Sequence, residues 1–541
     1  MILKNSLNFI SEFFNYSSNQ IRKIYLSSRI YNKKISRIDD KLIEYKPSPN
    51  LLDCLIKYEK KKNKIEDFYI NSIWDNKKIS DKVYKNLHSF YWLFSIDLKS
   101  SKKITHSIIQ NWIEKNYNFN VKSWQIDTLS KRVIAWIANS KITYEETDKN
   151  YKLKFDQTIN KQINHLINEI NRSELVDDKM IGCTAIIIAG LSYKDNKFLD
   201  YGLNLLKKII NTSFDNQYFP KSRSLRQLVF YLKYFVLIRE LLKESLNEIP
   251  EYVDEIIFYL GKSYNLIFGS KESFLFNGNH ETDLLDFNKY LELYRYNFKS
   301  NTNEAGGYSI LRNKNVSIFM DIGPSPIKKF SENYQSGSLS FEVYFKGEKL
   351  ISNSGYFQDY KSNLNLISKS TATHSTLILN NTSSCSFNIN KKKPSYIDKG
   401  LKLIEKKIIF EKNFWSIKGS HDGYLKDYGV VHERILEFYP ETNKIIGKDK
   451  LIKKKNFKET SFEIRFHLMP DTKLTKTQDN KTVLIELENS GWKFYSDNGF
   501  INLETGLYFG KKNSSNENQN IFISGLTRND DQQIEWEISK I

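Results

Sequence analysis

Cysteine is nearly missing from this chain: Cys54, Cys183 and Cys385 are the three in 541 residues, far apart and odd in number. That excludes a disulfide framework and a cysteine-rich zinc cluster, and it predicts unpaired thiols. Histidine is also scarce. The eight positions, His88, His106, His165, His280, His374, His421, His432 and His467, include no two with local metal-ligand spacing. HExxH and CxxC are both absent, which argues against a zinc hydrolase. No P-loop and no GxSxG elbow occur, and Gly306-Gly307 precedes a predicted strand rather than a helix, which disfavours phosphate cradling. Long apolar runs are lacking too. The stretch MILKNSLNFISEFFNYSSNQIRK is broken by Lys4, Asn5 and Glu12, so it reads as neither a signal peptide nor a membrane span. No transmembrane segment and no export by the general route are therefore expected, while a helix lying on a membrane surface stays open.

Aromatic residues, by contrast, make up 14% of the chain, with 33 Tyr and 35 Phe, which is too much ring area for a disordered polymer. At 541 residues the chain exceeds what one core usually supports, so two main domains are expected. The net charge of +19 suits a polyanionic partner: an acidic polysaccharide, nucleic acid or an anionic membrane. It comes mostly from Lys, alongside abundant Asn and Ile, a bias that an AT-rich genome produces without selection for any ligand. No nucleic-acid recognition motif accompanies it, so no specific nucleic-acid partner is expected.

Glycine divides the chain. Residues 1–300 hold 6 of the 22 glycines and the remaining 241 residues hold 16, so tight turns concentrate in the second part. The first part carries helical spacing, as in Ile126, Leu129, Val133 and Ile137, and in Leu225, Leu228, Leu232, Phe235 and Ile238, continuing to Leu241 and Leu242. Between them MIGCTAIIIAGLSY is apolar nearly all round, as in a helix buried on several sides. Such helices imply antiparallel hairpins, which stack as a solenoid or close into a ring. The stretch up to about residue 85 is less regular, with the run Lys60-Lys61-Lys62, and is expected to add helices on the outside.

From about Asn315 the period becomes two. Leu339, Phe341, Val343 and Phe345 alternate with Ser340, Glu342 and Tyr344, and a Gly-Glu turn at Gly347 leads into KLISNSG. Further units read as THSTLILNN, KKIIFEKNFWSIKG, ERILEFYPETNKIIGKDKLI, FEIRFHLMP, TVLIELENSGWKFYS and IEWEISKI, and together they predict a large antiparallel sandwich. Residues 270–305, including FLFNGNHETDLLDF, form the junction between the two periods, a common place for a binding cleft.

The block GGYSILRN, FMDIGPSP, YQSGSLSFEVYFKGEKLISNSGYF and STATHSTLILNN, followed by GSHDGY, VVHERILEF, EIRFHL and GWKFYS, resembles the heparinase II/III family of polysaccharide lyases, especially its alphaproteobacterial branch. LHSFYWLFSIDL, RVIAWIANS and FLFNGN extend the resemblance upstream more weakly. It implies an incomplete α/α toroid followed by an antiparallel β-sandwich. The expected organisation is an N-terminal helical extension over 1–85, a toroid domain over 86–300 and a sandwich domain over 301–541. It also implies β-elimination on a uronate-containing acidic polysaccharide, in which one group neutralises the carboxylate, a base takes the neighbouring proton and an acid protonates the leaving oxygen. Family habit suggests the cell envelope, whereas the N-terminus offers no export signal.

Position by position the chain departs from that pattern. The family's His-x-His-Ala-Asp motif falls on Asn333, Tyr334, Gln335, Ser336 and Gly337, and its metal-binding Asp falls on Asn353. Of the implied metal ligands only His374 is kept, so the set Gln335, Asn353 and His374 is an eroded site and no metal or other cofactor is expected. The Asn-His pair of the buried helix falls near Lys179-Met180 and is missing, while Asn164-His165 on the preceding helix reads as a polar surface pair. Tyr218 stands where a His is usual and could act as acid or base, or could cap a loop.

The candidate catalytic residues implied by the resemblance are thus His374, Gln335, Tyr218 and Asn333. Candidate substrate-binding residues are Asn277, Asn279, His280, Arg223 and Tyr334. The asparagines alternatively make turns, and Lys221, Arg223 and Arg226 either meet sugar carboxylates or sulfates or stay solvated at a helix start. His421 and His432 read as structural, hydrogen-bonded histidines. The sequence leaves two functional readings, a lyase and a glycan-binding or envelope-polysaccharide assembly protein that has lost its proton-transfer groups, and it is silent on oligomeric state.

Overall fold

The computed structural model describes residues 17–36, 41–55, 74, 79–95, 102–270, 272–389 and 394–541. The run Lys60-Lys61-Lys62 and the first 16 residues of the N-terminal stretch lie outside them. The chain divides into two compact units, one made of Met1–Thr212, Tyr231–Ile257 and Leu285–Tyr296, the other of Ser213–Phe230, Phe258–Leu284 and Asn297–Ile541.

The first unit is helical. Its helix Lys149–Glu169 starts where Asp148 accepts from the Tyr151 amide at 2.8 Å, a side-chain cap for one of the amides left unpaired at a helix start. The predicted stripe lies in helix Ile126–Ala138, where Leu129, Val133 and Ile137 are fully buried. The apolar run lies in helix Val176–Ser192 and is buried continuously from Met180 to Ser192. Burying each such Leu or Ile stabilises by roughly 1.5–3 kcal/mol relative to exposure. Arg132 lies fully inside this core: it donates to the carbonyls of His88 at 2.8 Å and Ser123 at 3.0 Å, and stacks on Trp112 at 4.1 Å. Burial pushes its guanidinium down to about 9.

The pair Asn164-His165 is not a surface pair. His165 is buried, and its Nδ1 meets the Tyr31 hydroxyl at 2.8 Å, while Asn164 Nδ2 donates to the Ile35 carbonyl at 3.0 Å. The short helix Arg29–Ile35 brings both partners and covers the imidazole.

The second unit is built mainly of antiparallel sheets. A five-stranded sheet runs in sequential order through Glu304–Ala305, Tyr308–Arg312, Val316–Asp321, Phe341–Phe345 and Glu348–Ile351. Its last hairpin turns on Lys346 and Gly347, at φ 48° and 87°, the paired positive angles that match the twist of the flanking strands; the turn thus sits one residue earlier than the Gly-Glu expectation. An eight-stranded sheet has the order Lys473–Lys476, Thr482–Glu486, Gly491–Tyr495, Gln532–Lys540, Lys444–Lys453, Val430–Tyr439, Trp415–His421, Leu403–Phe410. A four-stranded sheet runs Phe500–Tyr508, Asn516–Leu526, Ser461–His467, Leu377–Leu379. One apolar cluster joins residues of all three, with Phe341 stacked on Trp536 at 5.4 Å and Phe466 edge-on to the same ring at 4.7 Å. Gly447 is the cross-strand partner of Trp536, and a Cβ there would come within 2.0 Å of the indole, so the ring lies flat on bare backbone.

Candidate functional site

The residues expected to carry chemistry sit in the second unit, and most of their polar atoms are engaged with the protein itself. Gln335 is fully buried. Its Nε2 donates to the carbonyls of Gly355 at 2.8 Å and Ser368 at 2.6 Å, and its Oε1 accepts from the Gly278 amide at 3.1 Å. Its own amide donates to Asn277 Oδ1 at 3.1 Å. The side chain therefore ties the 277–279 turn to the segment around Gly355 and to helix Asn363–Lys369.

Asn277 and Asn279 serve that turn. Asn277, at φ 44°, donates through Nδ2 to the Tyr308 hydroxyl, and Asn279 Nδ2 donates to the Phe274 carbonyl at 2.6 Å. Both are buried. Arg223 is locked likewise: it donates to Gly306 O at 2.9 Å, Pro324 O at 2.9 Å, Gly307 O at 3.0 Å and Asp321 Oδ1 at 2.6 Å, with Tyr308 under its guanidinium at 4.7 Å. Every nitrogen of that guanidinium thus bonds the protein. Tyr334 is buried in a small cluster with Cys385, Ile397 and Leu401.

His374 is 1% exposed, and neither ring nitrogen finds a hydrogen-bond partner in the protein; burial pushes its imidazole down to about 3. Asn353 accepts from the Ser375 amide at 2.9 Å, and its Nδ2 has no partner. The family resemblance implies a divalent cation near these positions, and the donor set does not fit one. Gln335 is a neutral amide already bonded through both its oxygen and its nitrogen, Asn353 is a second neutral amide whose oxygen accepts from Ser375, and only His374 brings unpartnered ring nitrogens. Among the described residues no group of three or more His, Cys, Asp or Glu is placed to hold a metal ion.

Tyr218, at φ 60°, stacks face to face on Tyr259 at 4.9 Å. His280 Nδ1 accepts from Gln358 Nε2 at 3.2 Å. His421 and His432 are paired across neighbouring strands and buried, His432 Nε2 meeting Asp449 at 2.7 Å, which agrees with structural histidines.

An open cavity lies beside Asn333. It measures about 120 Å³ and is lined by the cations Arg226 and Lys369, the amides Asn333, Gln358 and Asn365, the phenols Tyr356 and Tyr360, and by Glu332 and Pro394. Arg226 Nη2 donates to Asn333 Oδ1 at 3.3 Å. The Tyr356 hydroxyl lies 3.4 Å from the Glu332 carbonyl; burial pushes it up to about 12, while the Arg226 charge pulls the other way. Lys369 ends helix Asn363–Lys369 and donates to two carbonyls, Glu332 at 2.5 Å and Ser395 at 2.6 Å. Of the residues weighed from sequence, Asn333 and Arg226 line this cavity, with His280 one bond away through Gln358. Lys369, Tyr356 and Gln358 were not foreseen, because nothing local in NSGYFQDYKSNLNLISK marks them. The available signal was Arg226, whose side chain was weighed against a solvated helix start.

Such a set can bind an anionic, hydroxyl-rich ligand: two cations meet the charge, and amides and phenols meet hydroxyls. No helix among the described residues is long and apolar enough to cross a membrane.

Comparison with known proteins bears on this geometry. A family model described as Heparinase II/III-like, C-terminal, matches residues 297–537. The FtsZ-localized protein C of Caulobacter vibrioides is 22% identical over 246 residues, 43% of this chain and 42% of that protein, so the chain spans about four-tenths of the length of that curated relative. Among solved structures, heparinase III superposes with a TM-score of 0.67 at 15% identity over 94% of this chain and 88% of that one. Heparan sulfate lyase of Pedobacter heparinus gives 0.65 at 15% over 87% and 78%. Chondroitin AC lyase of Streptomyces coelicolor, solved with chondroitin sulphate, gives 0.53 at 7% over 95% and 80%. These likenesses establish the fold: a helical region followed by antiparallel β-sheets, as in the heparinase III and chondroitin lyase structures. Residues 297–537 are thus similar to the heparinase II/III-like family in sequence, and the chain as a whole is similar to its lyases in fold.

Proposed function

We propose that this protein recognises a uronate-containing acidic polysaccharide, and that the cavity beside Asn333 receives an anionic group of the polymer. The observation that carries the reading is the placement of Arg226 against Asn333, with Lys369 lining the same cavity. Recognition without cleavage is the form the geometry favours. Elimination needs a base and an acid that reach solvent, and at the positions where the family resemblance would put them Gln335 is bonded to backbone and His374 is buried. The name of the Caulobacter relative, an FtsZ-localized protein, supports the envelope-assembly version of this reading.

A second reading is β-eliminative cleavage, and Tyr356 favours it. Its hydroxyl shares the cavity with Arg226, the pairing of proton acceptor and carboxylate neutraliser that the reaction requires. Incubating the protein with a panel of uronate polymers, while following binding and the ultraviolet absorbance of unsaturated ends, separates the two. Binding with no new absorbance supports recognition. Absorbance that disappears in Tyr356→Phe supports the lyase, and no binding to any uronate polymer defeats both.

A further inference from the structure

The ammonium of Lys369 is held in an unusual way for a buried cation. Its residue is 1% exposed, and two of its three protons go to the carbonyls of Glu332 and Ser395. The Phe387 ring lies 5.2 Å from Nζ. One donor position is left, and the residue lines the cavity that Arg226 enters from helix Leu225–Glu244. Among the described residues, the other titratable groups on that cavity are Glu332, Tyr356 and Tyr360. Among the described residues, two basic side chains and one carboxylic acid line the cavity, a set suited to an anion.

We propose that Lys369 is the switchable anchor of an anionic subsite: in its ammonium form it binds, together with Arg226, one carboxylate or sulfate group of a glycan, and without its third proton it releases that group. The proposal rests on the acidic-polysaccharide reading above and adds to it the chemistry of one subsite and its regulation. The geometry supplies the means. Two fixed carbonyls hold Nζ in place whether or not a ligand is present, so the anion meets a preorganised donor. Burial lowers the lysine to about 8, with Glu332 pulling the other way, so the switch falls close to physiological pH while an ordinary surface lysine would stay charged.

The experiment titrates the full chain with polygalacturonate, which carries only carboxylates, and with heparin, which also carries sulfates, across mildly acid to alkaline pH at fixed ionic strength. Wild-type affinity for at least one probe should fall about tenfold per pH unit above 8. Lys369→Arg should bind with no such fall, and Lys369→Met should bind at least about tenfold more weakly at neutral pH with a flat profile. Circular dichroism shows that the variants are folded; if Lys369→Met is not, the wild-type and Lys369→Arg profiles decide alone. A carboxylate-only or a sulfate-dependent response names the source of the anion. A Lys369→Arg profile that falls as wild type does, or a folded Lys369→Met that binds as wild type does, overturns the subsite and leaves the polysaccharide reading standing. No binding of either probe by wild type at any pH overturns both.

Discussion

Arg434 grips Asp449 through two parallel bonds, Nε to Oδ1 at 2.8 Å and Nη2 to Oδ2 at 3.0 Å, and neither side chain is exposed to solvent. The two residues face each other on strands Val430–Tyr439 and Lys444–Lys453. His432 and the Trp536 indole, at 2.7 Å and 2.9 Å, take the remaining acceptor positions. Burial raises the Asp449 carboxyl, but Arg434 and His432 outweigh it and hold the group below the ordinary carboxylate range. Asp449→Asn leaves the guanidinium buried without a counter-charge, and it should destabilise the fold by about 3–5 kcal/mol in urea denaturation. A loss below about 1 kcal/mol would mean that the carbonyls of Leu339 and Ser375, which Arg434 also reaches, suffice to hold the charge.

The same cluster makes the protein acid-sensitive. His421 Nδ1 accepts from the Gly423 amide at 3.1 Å and its Nε2 lies 3.4 Å from His432 Nδ1, so both rings are neutral in a one-way chain toward Asp449. Burial pushes His421 well below its ordinary 6.5, and the nearby Arg434 charge, together with the cost of charging two adjacent imidazoles, adds to it. A base whose folded pKa is depressed contributes stability that is present above the unfolded value and lost as pH falls toward the folded one. The melting temperature should therefore drop as pH is lowered from 6.5, and His421→Asn, which keeps an acceptor for Gly423, should flatten the drop. An unchanged slope in that variant would assign the acid sensitivity elsewhere.

Gly278 has φ 84°, and a Cβ built on it would stand 2.7 Å from Asn333 Cβ. Gly278→Ala therefore strains the backbone and pushes Asn333 toward the cavity. A loss of roughly 1–3 kcal/mol in stability is expected, together with weaker binding of uronate polymers. Full binding with normal stability would show that the turn and the cavity are independent.

Arg226→Gln removes one cation from the cavity without breaking an ion pair. Affinity for uronate polymers should fall about tenfold or more, the worth of one charge-assisted bond, while thermal stability stays close to wild type. Equal affinity in the two proteins would place the anion elsewhere.

Much of this architecture was legible as periodicity, and the exceptions have physical causes. The alternation from Leu339 to Phe345 marked a strand with one core face, yet Ser340 and Glu342 are as buried as Phe341. Glu342 is there because it meets Lys349 at 3.0 Å and the Asn353 amide at 2.8 Å, partners that a one-dimensional pattern does not reveal. The strands Phe500–Tyr508 and Asn516–Leu526 escaped notice because Asn, Glu and Gly occupy much of both, although Ile501, Ile521 and Ile523 are buried. Helix Leu285–Leu293 lay inside what read as a loop-rich junction. The cavity was least visible of all. Arg226, Asn333, Tyr356 and Lys369 come from four separated stretches, and only the folded chain brings them to one place.

Gln335 is held by its surroundings in a way that few other side chains could match. Where the resemblance expects a histidine, this amide satisfies two carbonyls and one amide proton at once. An imidazole in the same place has two ring nitrogens and, when neutral, a single proton to give, so it would strand one of those buried carbonyls. The surroundings match the glutamine. A histidine placed here by a single substitution would therefore leave a buried carbonyl without a donor, so the packing itself selects the amide at this position.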